Sequence, residues 1–115
     1  MFARYPSVTV TTLAEPFDDD SLALVRTEFR HHVKFGRRLH VIDLDQLGAP
    51  GSTIFRALIT ALRAAREVGG DVRLVSNQRS MRRVLVLTGL TRVFAVHSTV
   101  RDAVTAFREL PRKAS

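Results

Sequence analysis

Apolar positions along the chain change period repeatedly, and each change marks an element. Residues 8–13 are rich in Val and Thr and lie between Pro6 and Pro16, which predicts a strand. Asp18, Asp19, Asp20 and Ser21 then supply helix-start chemistry ahead of Leu22, Val25, Phe29 and Val33, spaced by three and four, with Gly36 as the stop. Residues 39–44 form an apolar run broken by His40 and Asp43, a second strand, and Gly48, Ala49, Pro50 and Gly51 form a loop. Ser52 or Thr53 would cap the next helix. Its stripe of Ile54, Leu58, Leu62 and Ala65 faces inward, Arg56, Arg63 and Arg66 face water, and Gly69 and Gly70 end it. Residues 72–75 read as a third strand, and Ser80 opens a third helix carrying Val84, Leu85 and Leu87 up to Gly89. Residues 93–96 read as a last strand. Ser98 or Thr99 caps a final helix bearing Val100, Ala103, Val104 and Phe107.

Strands and helices thus alternate, and strict alternation implies a largely parallel sheet whose partner or ligand surface lies near the C-terminal ends of the strands. Within that frame, residues 41–44, the loop, Ser52-Thr53, the helix ending in Gly69-Gly70 and residues 72–75 resemble the centre of the STAS domains of anti-sigma factor antagonists. The run Arg82-Arg83-Val84-Leu85-Val86-Leu87-Thr88-Gly89-Leu90-Thr91-Arg92-Val93-Phe94 is similar to that family's third helix and following strand, where a Thr-Gly-Leu turn precedes an aromatic residue. The resemblance covers residues 39–108. It implies an α/β fold: a STAS-like single domain over residues 1–110, with a mixed, mostly parallel sheet of about four to five strands and about four helices, and a flexible tail at 111–115.

The same resemblance implies a function. Such proteins bind an anti-sigma factor, often a serine kinase, so that a sigma factor is released for bacterial transcription, and phosphorylation switches them off. The family's switch is an Asp-Ser-Ser-Gly motif opening the second helix, with phosphate on its first Ser. The matching residues are Gly51, Ser52, Thr53 and Ile54, so Ser52 falls on the phosphorylated position and Thr53 beside it, while the Asp and the Gly are replaced. The partner-binding surface implied is Gly48, Ala49, Gly51, Ser52 and Thr53 with Arg56 and Thr60 of the following helix. A hydroxyl at a helix start suits a phosphate, because unpaired N–H groups and the helix dipole favour anions there. Arg56, four residues on, lies on the same helical face. Ser52 reads equally well as an N-cap, since Ser and Thr are what any helix start prefers.

Composition narrows the classes. The chain has 115 residues, 45% hydrophobic and 25% charged, as expected of one folded domain. It has no cysteine, hence no disulfide and no thiolate metal site, and a reducing cytoplasm is the expected compartment. The apolar run at residues 84–87 is far below the about 20 residues of a membrane span, and residues 1–7 lack a signal-peptide core, so no membrane insertion is expected. Eighteen Lys and Arg against eleven Asp and Glu give a net charge of +7, which suits an acidic protein, an anionic surface or nucleic acid. The arginines are spread along the chain and aromatics are few, so nucleic acid is not the expected partner. A basic nucleic-acid or anionic-ligand module, or a STAS accessory subunit of a complex such as a membrane lipid transporter, are the alternatives. A homodimer, through the sheet edge or the Phe-bearing first helix, is a further expectation.

No motif assembles a catalytic base, nucleophile and orienter, so no enzyme, cofactor or metal is expected. His31, His32, His40 and His97 lack ligand spacing. Asp43 and Asp45 share a strand face, which suits a cation or, more simply, a strand end. Gly48 and Gly51 flank Pro50 without the Gly-Lys-Ser/Thr ending of a P-loop. Arg79, Arg82 and Arg83 around Ser80 make the densest basic patch, a solvated helix face or a contact for an acidic partner.

Overall fold

A computed structural model describes residues 2–5, 8–48 and 51–108. Ala49 and the tail expected at 111–115 lie outside the described residues. In chain order the elements are β1 (Phe2–Tyr5), β2 (Val8–Ala14), α1 (Asp19–Lys34), β3 (Leu39–Gln46), α2 (Ser52–Glu67), β4 (Asp71–Val75), α3 (Arg79–Leu87), a 3-10 turn (Leu90–Arg92), β5 (Ala95–His97) and α4 (Val100–Arg108). The strands form one sheet in the order β1-β2-β3-β4-β5, with β1 antiparallel to β2 and every other pair parallel. This is the mixed, mostly parallel α/β sheet that the family resemblance implies.

Period-two alternation sends the side chains of β2, β3 and β4 to two cores. On one face Leu13, Ile42, Leu44, Val72 and Leu74 pack against Phe29 of α1, Ile54, Leu58, Ala61 and Leu62 of α2, and Met81 and Leu85 of α3. On the other face Val8, Val10, Val41 and Val75 meet Ala103, Val104 and Phe107 of α4, with Leu39 and Val100 packed against them. The stop at Gly69-Gly70 has a steric basis. Gly69 takes a left-handed φ of 75°, Gly70 donates back to the Ala65 carbonyl at 2.8 Å, and a Cβ on Gly70 would collide with the Arg38 carbonyl.

Two local expectations are corrected, one alternative is decided and one strand is added. The last strand is Ala95–His97, not 93–96: the chain winds through the 3-10 turn, the Phe94 amide donates to Leu90 at 2.9 Å, and Phe94 drops into the core while Val93 stays outside. α3 starts at Arg79 behind an uncapped Gln78 rather than at Ser80, and its buried pair is Met81 and Leu85, leaving Leu87 73% exposed. Of Ser98 and Thr99, Thr99 accepts from the Asp102 amide at 3.0 Å. β1 carried no periodic signal and exists through pairing of Phe2 with Thr11 and Tyr5 with Val8.

Candidate functional site at the start of α2

Parallel strands deliver their C-terminal ends to one side of the sheet, so the loops after β2, β3 and β4 gather there. The loop after β3 is fixed at its root. Leu47 is buried and its amide donates to the Leu44 carbonyl at 3.1 Å, and the Gly48 amide donates to Oε1 of Glu15, in the loop after β2, at 2.7 Å. A Cβ on Gly48 would stand 2.9 Å from that oxygen, so glycine is what lets the carboxylate approach.

Gly51 then enters α2 in extended conformation as its N-cap, and Ser52 is the first helical residue. The capping role expected of Ser52 or Thr53 is therefore not the one they have: Gly51 occupies the cap and offers no side-chain acceptor, and neither hydroxyl caps. Ile54 and Phe55 amides reach the Gly51 carbonyl at 3.1 and 3.4 Å. Ser52 is exposed, Thr53 half-buried and Ile54 buried in the core. The first turn of α2 holds no acidic residue. α1 is the contrast: Asp18 caps it by accepting from the Ser21 amide at 2.9 Å, which holds the Asp18 carboxyl below its ordinary range, and Asp19 and Asp20 follow.

Arg56 sits one turn after Ser52 and leans toward α1, with Nη1 4.0 Å from Oδ1 of Asp19. Both side chains are largely exposed, so the pair is weak and Arg56 is available to another anion. Thr60 lies a further turn on, away from the loop, on a shallow groove floored by Ala57, Ala61 and Ala64 of α2 and edged by Arg26 and Arg30 of α1. A second depression beside it is lined by Phe55, Arg56, Ile59 and Arg63. The outward side of the α1–α2 pair thus combines partly buried apolar side chains with four arginines. Gly48, Gly51, Ser52, Thr53 and Arg56 come together at the helix start, while Thr60 belongs to the groove. Arg26, Arg30, Phe55 and Ile59 were missed from sequence, because only the packing of α1 on α2 brings them to one surface.

The remaining candidates have structural work. The Asp43 carboxylate accepts from the Asp45 amide at 3.0 Å, and Asp45 receives the Asn77 amide on Oδ1 and the Gln78 side chain on its carbonyl, both at 2.7 Å. These bonds pin the loop after β4 to the end of β3. His40 is buried against Phe29, ring centroids 4.3 Å apart, with Nε2 2.9 Å from the Arg37 carbonyl, and burial pushes its pKa down to about 4. His97 lies beside Arg73, 3.1 Å from Nη1; burial first, then that cation, lower its pKa. Among the described residues no three His, Asp or Glu converge to hold a metal. Arg82 turns inward, donating to the Ser76 carbonyl at 2.6 Å and Ser98 Oγ at 3.0 Å, whereas Arg79 and Arg83 stay exposed. No described helix is long and apolar enough to cross a membrane.

The STAS domain family matches the sequence over residues 1–103. No curated protein matches it. Among solved structures, an anti-sigma factor antagonist from Mycobacterium paratuberculosis is 24% identical, with 95% of this chain and 92% of that one covered at a TM-score of 0.81. A chain of the stressosome, a signal integration and transduction hub, is 22% identical, with 97% and 99% covered at 0.83. The Bacillus cell fate determinant SpoIIAA in its phosphorylated form is 17% identical, with 94% and 98% covered at 0.75. At these identities the likeness is one of fold.

Proposed function

The chain belongs to the STAS domain family, and from that premise we propose that it is a cytoplasmic regulatory protein that acts by binding another protein and not by catalysis. The partner is an anti-sigma factor, of the serine-kinase type or otherwise, whose capture releases a sigma factor. The surface is the loop at Gly48, Ala49 and Gly51 with Ser52, Thr53, Arg56 and Thr60, extended by the arginine-edged groove between α1 and α2.

The observation that carries the reading is the start of α2. Ser52 stands exposed at the first helical position behind a cap that is only glycine, so its hydroxyl is free of capping duty. A phosphate there would meet the unpaired N–H groups of the first turn, and Arg56 one turn on, while placing two negative charges on a cationic, partly apolar surface. An acidic partner would be lost by repulsion and desolvation. SpoIIAA, similar in fold, has a phosphorylated form, which supports a switch of this kind.

The test is to isolate the tagged full chain from its host, identify what it carries, and titrate that partner with Ser52→Ala and Ser52→Glu. Recovery of an anti-sigma factor, with Ser52→Glu weakened by about tenfold or more (~1.4 kcal/mol) and Ser52→Ala close to wild type, supports the reading. Equal affinity for both variants removes Ser52 from the interface. Recovery of transporter subunits or nucleic acid instead sinks the sigma-factor reading.

A further inference from the structure

Between Asp71 and Asp102 the chain contains no acidic residue and six arginines. This block includes α3 and the turn after it, and α3 shows an unusual outward face. Met81 and Leu85 turn inward, which leaves Arg79, Arg83, Val86 and Leu87 on the solvent side. Val86 is 61% and Leu87 73% exposed, with Arg92 and Val93 of the following turn exposed as well. Among the described residues Arg79, Arg83 and Arg92 have neither an ion pair nor a hydrogen-bonding partner. The result is an apolar knob at the end of a cationic ridge.

The counterpart is on the same chain. Along α1, Asp20, Leu24 and Glu28 follow one another at i, i+4 and i+8 on a stripe that points away from α2, and Leu24 is 62% exposed. Leu24 also edges a groove of about 160 Å³ between α1 and β2, whose other walls include Leu13, Phe17, Val25 and Thr11. Glu15, Asp18 and Asp19 stand at the same end of α1. The α1 side therefore offers an apolar hole with an acidic border, where the α3 side offers an apolar knob with a basic border.

We propose that this chain self-associates head to tail, with Val86 and Leu87 of one copy seated in the α1–β2 groove of the next, and Arg79 and Arg83 facing Asp20 and Glu28. The two surfaces are different patches of one molecule, so the contact is heterologous and each copy keeps one free knob and one free hole. Chains or closed rings grow from such a contact, whereas a two-fold dimer does not. Charge complementarity sets the orientation and makes association sensitive to salt, because a screening length of about 10 Å at 0.1 M shortens as salt rises. None of the docking residues belongs to α2, but the two surfaces adjoin: Val25 lines both grooves, and Asp19 at the border of the hole pairs with Arg56.

Sedimentation velocity of the full chain tests this, over a range reaching about 1 mM in about 50 mM and about 500 mM salt. Wild type is expected to grow in weight-average sedimentation coefficient with concentration at low salt and to stay monomeric at high salt. Val86→Ser with Leu87→Ser removes the apolar knob and keeps its arginines, Asp20→Arg reverses the charge at the hole, and each alone is expected to remain monomeric, while the two spoiled surfaces repel each other. Mixed together they retain one good surface each and are expected to give a 1:1 dimer and nothing larger. Circular dichroism and thermal unfolding establish that each variant is folded, and Glu28→Arg replaces Asp20→Arg if the start of α1 is lost. Wild type that stays monomeric throughout, single variants that associate like wild type, or a mixture that forms no dimer would each overturn the proposal.

Discussion

The Gly48 amide and the Glu15 carboxylate meet at 2.7 Å, thirty-three positions apart in sequence, and in doing so tie the loop before α2 to the loop before α1. A charge-assisted bond of this kind at an exposed site contributes about 1 kcal/mol, and more to the position of the loop than to the stability of the domain. Glu15→Ala is expected to lower the melting temperature by a few degrees at most and to accelerate hydrogen exchange at Gly48 well above that of the β3 amides. Gly48→Ala should do the same from the other side, by driving a Cβ against the carboxylate. Unchanged exchange at Gly48 in both variants would show that the bond does not hold the loop.

The open space around Gly51 makes a sharper prediction. A Cβ there meets nothing within 4 Å, and the residue is an extended N-cap with no acceptor of its own. Gly51→Asp is expected to raise stability by a few tenths of a kcal/mol up to about 1, through a new cap and a favourable charge at the helix dipole. Thermal denaturation reads it directly, and a lowered melting temperature would contradict the assigned cap.

Restoring the other altered motif position has the opposite sign. Ile54 is buried among Leu58, Leu62 and their neighbours, so Ile54→Gly removes a core side chain and adds helix-interior entropy. The expected loss is about 3 to 5 kcal/mol in urea unfolding, enough to abolish much of a small domain's stability. The two motif substitutions thus separate: one position is free to change, the other has been absorbed into the core.

His40 gives the protein an acid-labile seam. Its ordinary pKa of 6.5 is lowered to about 4 by burial, helped by the nearby charges of His32 and Arg37 and opposed by its bond to the Arg37 carbonyl. The unfolded chain therefore binds the proton more readily than the folded one, so stability is full above about pH 6.5 and falls as pH drops toward 4. The shift corresponds to about 3 kcal/mol over that window. Urea titrations between pH 7 and 4 should show the decline, and His40→Phe should flatten it whatever its own cost in stability. A slope that survives in the variant would place the acid sensitivity elsewhere.

Much of this architecture was legible because the periods were unambiguous. β2, β3 and β4, and the inward stripes of α1, α2 and α4, carry apolar residues at spacings that allow one reading, and the Gly69-Gly70 stop is enforced by an actual collision. What escaped depends on contacts distant in sequence. β1 has only four residues and is defined by its pairing with β2. The 3-10 turn hid the displacement of β5 because Val93 and Phe94 look like strand until Phe94 is seen to fold back. At the site, Ser52 and Thr53 have the chemistry of caps, yet Gly51 takes that position. Arg82 resembles Arg79 and Arg83 in sequence and differs only because Ser76 and Ser98 lie within its reach.

The order of the strands in the sheet is also the order in which they are synthesised. Each strand leaving the ribosome finds its neighbour already made, and no later segment has to be threaded between two earlier ones, which keeps loop-closure costs low. The face covered by α1, α2 and α3 can therefore grow along with the chain. The face formed by Val8, Val10, Val41 and Val75 must wait for α4, and a nascent chain stalled before residue 100 would present that apolar surface uncovered to whatever chaperone stands nearby.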